Sequence, residues 1–203
     1  MSIAARVAGQ PVLVKEIDER EAQLRGANLA SALPRPGTSE GRQLRRWLTQ
    51  LVVAERVVAV EARRRGLTAE GAPAVEEILG DNAARLEIGS VAASTLAAPL
   101  ARAVFAAITA DVAVGDAEIA DYHARNPLRF TESPVASERG WRSKPQARPL
   151  PQVRDRIYLH LLGSARRRAF RRWLDARCAA VVELAPGYEH PGDPRQPDNT
   201  HRH

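Results

Sequence analysis

The sequence predicts a mainly α-helical protein with one small N-terminal β element and a long helix returning near the C-terminal end. Three observations carry this reading. Two long stretches, 41–65 and 152–183, repeat apolar residues at helical spacing. Residues 3–7 and 12–14 read as short extended pieces flanking Ala8-Gly9-Gln10-Pro11, a tight-turn sequence. Apolar residues make up 44% and charged residues 27% of 203, a composition able to build a packed core without disulfides or metals.

The elements follow in order. Residues 15–25 read as a helix carrying Ile17, Glu21 and Leu24. Residues 28–40 hold Pro34, Pro36, Gly37, Thr38 and Ser39 and read as a loop. In 41–65 the stripe is Leu44, Leu48, Leu51, Val52, Val58, Ala59 and Ala62, closed by arginines and Gly66, a helix stop. Residues 68–79 predict a short acidic helix or turn broken near Pro73. The alanine-rich stretch 83–109 predicts two helices or one kinked at Pro99. Asp116 and Glu118 favour the start of a helix over 116–125, and Asn126-Pro127 ends it. Residues 131–150 are polar, proline-containing and aperiodic, and read as a loop. The last helix, 152–183, presents Val153, Ile157, Leu161, Ala165, Phe170, Trp173, Leu174, Cys178 and Val181. The prolines of 185–203 exclude a helix there. The expected organisation is one domain over 1–184 and a Pro/His-rich tail over 185–203.

Charge and composition narrow the functions. The net charge is +6, and arginine supplies nearly all of the basic residues. Arg166, Arg167, Arg168, Arg171, Arg172 and Arg177 crowd one stretch of the last helix against a single acid, Asp175, while the tail is acidic. This basic face is read as solvated, as paired with the tail, or as a dock for an acidic partner. Nucleic acid is disfavoured, because aromatic residues make up only 4% and do not interleave the arginines. One cysteine excludes a disulfide framework or a CxxC site, and Cys178 lies in the apolar register of its helix as a core thiol. No apolar run is long enough for a membrane span or secretory signal, so a cytoplasmic location is expected. His123 reads as a helix-end residue and His160 as a helix-surface residue. The tail gathers His190, Asp193, Asp198, His201 and His203, which are weak candidate ligands for a divalent metal; a disordered or surface-lying terminus, or a tail docked over a groove, is the preferred reading. No cofactor is expected.

Three segments carry a resemblance. They are Val7-Ala8-Gly9-Gln10-Pro11-Val12, then Glu61-Ala62-Arg63-Arg64-Arg65-Gly66-Leu67-Thr68, then Val112 to Tyr122 (VAVGDAEIADY) running on to Asn126 and Phe130. In this order they resemble the N-terminal chaperone module of the SurA/PrsA/trigger-factor group, whose segments are typically V-N-G-x-x-I, E-A-K-x-x-G-(I/L)-x-V and V-(S/T)-(D/E)-x-E-(I/V)-x-x-Y-Y-x-x-N-x-x-x-F. The resemblance, of an actinobacterial type, covers about residues 3–130 and 150–184. It implies a SurA N-terminal-like helical chaperone fold completed by the returning helix. Isomerases of that group carry a parvulin domain where this chain has only 131–150, so no catalytic residue is carried over. The tail has no counterpart in that group. Some actinobacterial proteins of this shape bear a malonyl-CoA:acyl-carrier transacylase label, which is set aside here because the reading finds no G-x-S-x-G elbow.

The expected function is therefore a cytoplasmic chaperone-like or assembly protein that binds non-native or partner polypeptides without isomerase chemistry. Trp47, Leu51, Phe105, Phe170 and Trp173, with Arg167, Arg171 and Arg172, are the candidate contact residues. Trp47, Phe170 and Trp173 also fit plain core anchors. The alternative is an accessory enzyme or cofactor protein of polyketide or fatty-acyl biosynthesis. It would dock an acidic acyl carrier protein on the basic helix and use the His/Asp-rich tail for acid–base or metal chemistry.

Overall fold

The structure, a computed structural model, describes residues 2–26, 32–130 and 148–190. It is mainly helical, with a three-stranded sheet. β1 (Ile3–Val7) and β2 (Gln10–Leu13) form an antiparallel hairpin. Its turn is Ala8 at φ 48° and Gly9 at φ 77°. Two successive positive φ values match the right-handed twist of the strands, so the turn is two residues long and Gln10 and Pro11 belong to β2.

α1 (Val14–Arg25) buries Ile17 and Glu21 against α2 (Ser39–Arg65). Polar ties join the two helices: Arg45 reaches Asp18 at 2.6 Å and Glu21 at 2.7 Å, and Arg20 pairs with Glu55. α2 is the central helix and packs against α1, α5, α6, α8 and β1. Thr38 caps its start, accepting from the Gly41 amide at 3.1 Å, and Gly66 closes its end in the left-handed conformation that favours glycine.

Of the acidic stretch 68–79, only α3 (Val75–Ile78) is helical. The stretch expected as two helices is three: α4 (Asn82–Ile88), α5 (Ser90–Thr95) and α6 (Pro99–Ile108). The break not foreseen lies at Gly89, where φ is 88°. Pro99 starts α6 rather than kinking it, since the first helical turn needs no amide there. α7 (Asp116–Arg125) falls where the sequence puts it, followed by a 3-10 turn at Pro127–Phe130.

α8 (Leu150–Val181) begins inside the expected loop and ends before 183, because Val182–Leu184 leave the helix as β3. β3 pairs antiparallel with the free edge of β1, giving the order β2-β1-β3. The rest of the predicted loop, 131–147, lies outside the described residues. No described helix is long and apolar enough to cross a membrane.

Two hydrophobic clusters lie along α8. The larger joins the hairpin, α2, α4–α6 and the second half of α8 through Leu48, Val53, Leu96, Phe105, Phe170 and Leu174. The smaller joins Ile119 of α7, Phe130 of the 3-10 turn, and Val153 and Ile157 of the first turns of α8.

Candidate functional site

Between the two clusters, α8 passes α3, α4 and α6 and leaves a groove. Its apolar part, about 410 Å³, has Ile78, Phe105 and Ala106 on one wall and Leu159, Leu162, Gly163 and Arg166 on the other. Leu159 is 66% exposed, a large apolar side chain standing in water at the groove's mouth. Gly163 contributes no side chain, so the backbone of α8 forms part of the surface there.

The groove continues into a polar part of about 480 Å³ that shares Glu77, Leu159 and Gly163. Glu87 of α4 dominates it. Arg167 Nε donates to Glu87 at 2.7 Å, Arg168 donates at 3.2 Å, and the Ser164 hydroxyl donates to the same carboxylate. Burial alone would raise the Glu87 pKa; the hydrogen bonds from Ser164 and Arg167, with the charges of Arg167 and Arg168, outweigh it and hold the carboxyl below its ordinary value. Arg167 also donates to the Ile78 carbonyl at 3.1 Å, which fixes α3 against α8. His160 lies on this rim against the Tyr122 ring, with centroids 5.4 Å apart. Burial, then the charges of Arg129 and Arg167, push its pKa below the ordinary value and favour the neutral ring.

The candidate contact residues separate on this surface. Phe105, Phe170 and Trp173 come together as a run of rings, each pair 5.3 Å between centroids. Phe170 has no exposed surface, and Leu51 is buried and lines neither part of the groove, so both belong to the interior. Of the five apolar candidates only Phe105 reaches the groove, as part of its floor. Trp47 is half-buried elsewhere, its indole donating to the Ser90 hydroxyl at 3.1 Å. Arg167 lines the groove, Arg171 reaches toward the Glu87 carbonyl and Asp175, and Arg172 is exposed.

Leu159 and Leu162 are not among the contact residues expected from the sequence, and Arg166 is named there only as part of the basic face. They recur at i, i+3 and i+7, a second stripe on α8 beside the core stripe, and that spacing is the signal that identifies them.

Elsewhere the chemistry is quiet. The Cys178 thiol is half-buried against the larger cluster, and desolvation with the Asp175 charge pushes its pKa up to about 11, the opposite of what a nucleophile needs. His123 is held near its helix end by the Arg148 carbonyl, 2.8 Å from Nε2. Among the tail candidates only His190 is described; it lines a separate cleft with Arg171, Asp175 and Cys178. Asp193, Asp198, His201 and His203 lie outside the described residues. Among the described residues, no group of three or more His, Cys, Asp or Glu side chains stands together as a metal site.

One expectation is corrected on the sequence itself. Residues 37–41 read Gly-Thr-Ser-Glu-Gly and do carry the G-x-S-x-G pattern. A nucleophile elbow needs a strand running into the turn. Here the pattern opens α2 after a proline-containing loop, and the described strands are only β1–β3. Its residues have structural work instead. Thr38 is the N-cap, Gly37 adopts φ 80°, and a Cβ on Gly41 would stand 2.3 Å from the Arg35 carbonyl oxygen.

The model of a family of unknown function (DUF7158) matches residues 3–40, which carry the hairpin, α1 and the N-terminal cap of α2 and none of the groove residues. Comparison with curated proteins and with solved structures yields no match.

Proposed function

We propose that this protein is a cytoplasmic chaperone-like or assembly protein of the SurA/PrsA/trigger-factor kind, and that it holds a segment of a non-native or partner polypeptide in the groove along α8. Isomerase chemistry has no part in this reading. The observation that carries it is Leu159, two-thirds exposed beside Leu162 at the mouth of an apolar groove. Water-exposed leucine next to concave apolar surface gains free energy when another apolar chain covers both. The element order also supports the resemblance: a hairpin, a long central helix, and a returning helix whose last residues rejoin the hairpin. The accessory-enzyme alternative drew chiefly on the tail, most of which lies outside the described residues, and no observation favours it.

The test is suppression of aggregation of a heat-unfolded model enzyme. The wild-type protein slows aggregation at near-stoichiometric ratios. Leu159→Glu, on an exposed position, keeps the helical circular-dichroism spectrum and the thermal midpoint but loses most of the protection. Equal protection by Leu159→Glu would overturn the reading.

A further inference from the structure

We infer that the groove selects extended segments in which an acidic side chain follows leucine-sized residues, and that Arg166 is the residue that reads the acid. The inference rests on the groove being a polypeptide site, as proposed above.

Arg166, Arg167 and Arg168 are consecutive on α8, yet their fates differ. Arg167 is held by Glu87 and the Ile78 carbonyl, and Arg168 by Glu87 and Ser164. Arg166 makes no hydrogen bond or ion pair with any described residue, and its Nε is buried without an acceptor. A buried guanidinium N–H without a partner is costly, so an acceptor that reaches it gains more than one meeting a surface arginine. The apolar lining strengthens such a pair further, because it lowers the local dielectric.

The acid lining the apolar part of the groove, Glu77, does not answer Arg166. Glu77 turns back to the start of α3, where it accepts from the Ala74 amide at 3.0 Å. Arg166 therefore stands as a cation in a mainly apolar groove, and the complementary group is a carboxylate. The spacing of the stripe adds a length. Seven helical residues separate Leu159 from Arg166, a rise of about 10 Å. Three residues of extended chain span about the same distance. A segment lying along α8 would place leucines over Leu159 and Leu162 and an acid about three residues on.

The experiment uses the full chain and a fluorescently labelled, end-capped peptide with a leucine pair followed three residues later by Glu, beside versions carrying Gln or Lys there. Binding is read by anisotropy. The wild-type protein is expected to prefer the Glu peptide over the Gln peptide by about tenfold. Arg166→Gln lowers Glu-peptide affinity to the Gln level, and Arg166→Glu turns the preference toward Lys, with unchanged helical content in both variants. Equal wild-type affinity for Glu and Gln, or a preference that survives Arg166→Gln, overturns the inference. If all three peptides bind alike and Leu159→Glu abolishes binding, the groove stands and only its acid selectivity falls. If the wild-type protein binds none of them, both fall.

Discussion

Glu61 shows how this chain tolerates an acid in its core. Its side chain is 1% exposed, yet Arg64 reaches it at 2.6 Å, Arg65 at 2.6 Å, and Arg177 of α8 at 3.9 Å. The hydrogen bond from Arg64 is the largest influence; desolvation opposes it, Arg65 reinforces it, and the pKa falls to about 2. A carboxyl whose folded pKa lies below its ordinary value contributes stability in full above that ordinary value and loses it as pH falls through the folded one. Glu61→Gln should therefore cost about 2 kcal/mol at neutral pH, since a neutral amide with one acceptor oxygen replaces a charged carboxylate with two, facing the guanidinium groups of Arg64 and Arg65. Urea unfolding at a series of pH values should show the gap between wild type and variant closing from about pH 4.5 toward pH 2. A pH-independent gap would show that packing, not charge, sets the effect. Glu61 is visible in the sequence only as part of a motif, because Arg177, the third cation around it, arrives from distant α8. The groove residues were hidden for a related reason. Leu159 is out of register with the core stripe, and what makes it notable is the wall of Ile78 and Phe105 opposite, supplied by distant parts of the chain.

At the scale of elements, those with local signals were legible. The stripe of α2, its glycine stop, and the span of α7 between Gly115 and Asn126 follow from neighbours along the chain. β3 was not. Val182–Leu184 continue an apolar helical register, and only the unpaired edge of β1 draws them out of the helix. The core stripe of α8 divides between the two cores. Val153 and Ile157 serve one cluster while Phe170 and Leu174 serve the other, so a stripe read as continuous changes partner midway. The start of α2 makes a sharper prediction. Gly41→Ala should destabilise the protein by about 1–3 kcal/mol, because the new methyl meets the Arg35 carbonyl, a backbone atom that cannot turn aside. A thermal midpoint unchanged from wild type would show that the loop before α2 gives way freely.

At the scale of the whole molecule, the described residues form a large core and a small one strung on a single helix. Phe170 is fully buried between Phe105 and Trp173, and Phe170→Ala should lower global stability by about 3–5 kcal/mol. Ile157→Ala acts in a cluster of four buried residues. It should loosen α7 and the 3-10 turn while leaving α2 protected, as read by hydrogen exchange of the 116–125 amides against those of 48–62. Simultaneous loss of protection in both regions would mean that the two cores unfold as one. The sheet has a consequence in time as well as in space. β1 leaves the ribosome well before its partner on one side, β3, whose register sets Arg6 opposite Glu183 and Val7 opposite Val182. Until β3 has been made, that strand edge stays bare, able to pair with any extended chain nearby. The nascent protein thus passes through a long interval in which it is itself in need of shielding, and the arrival of β3 ends it.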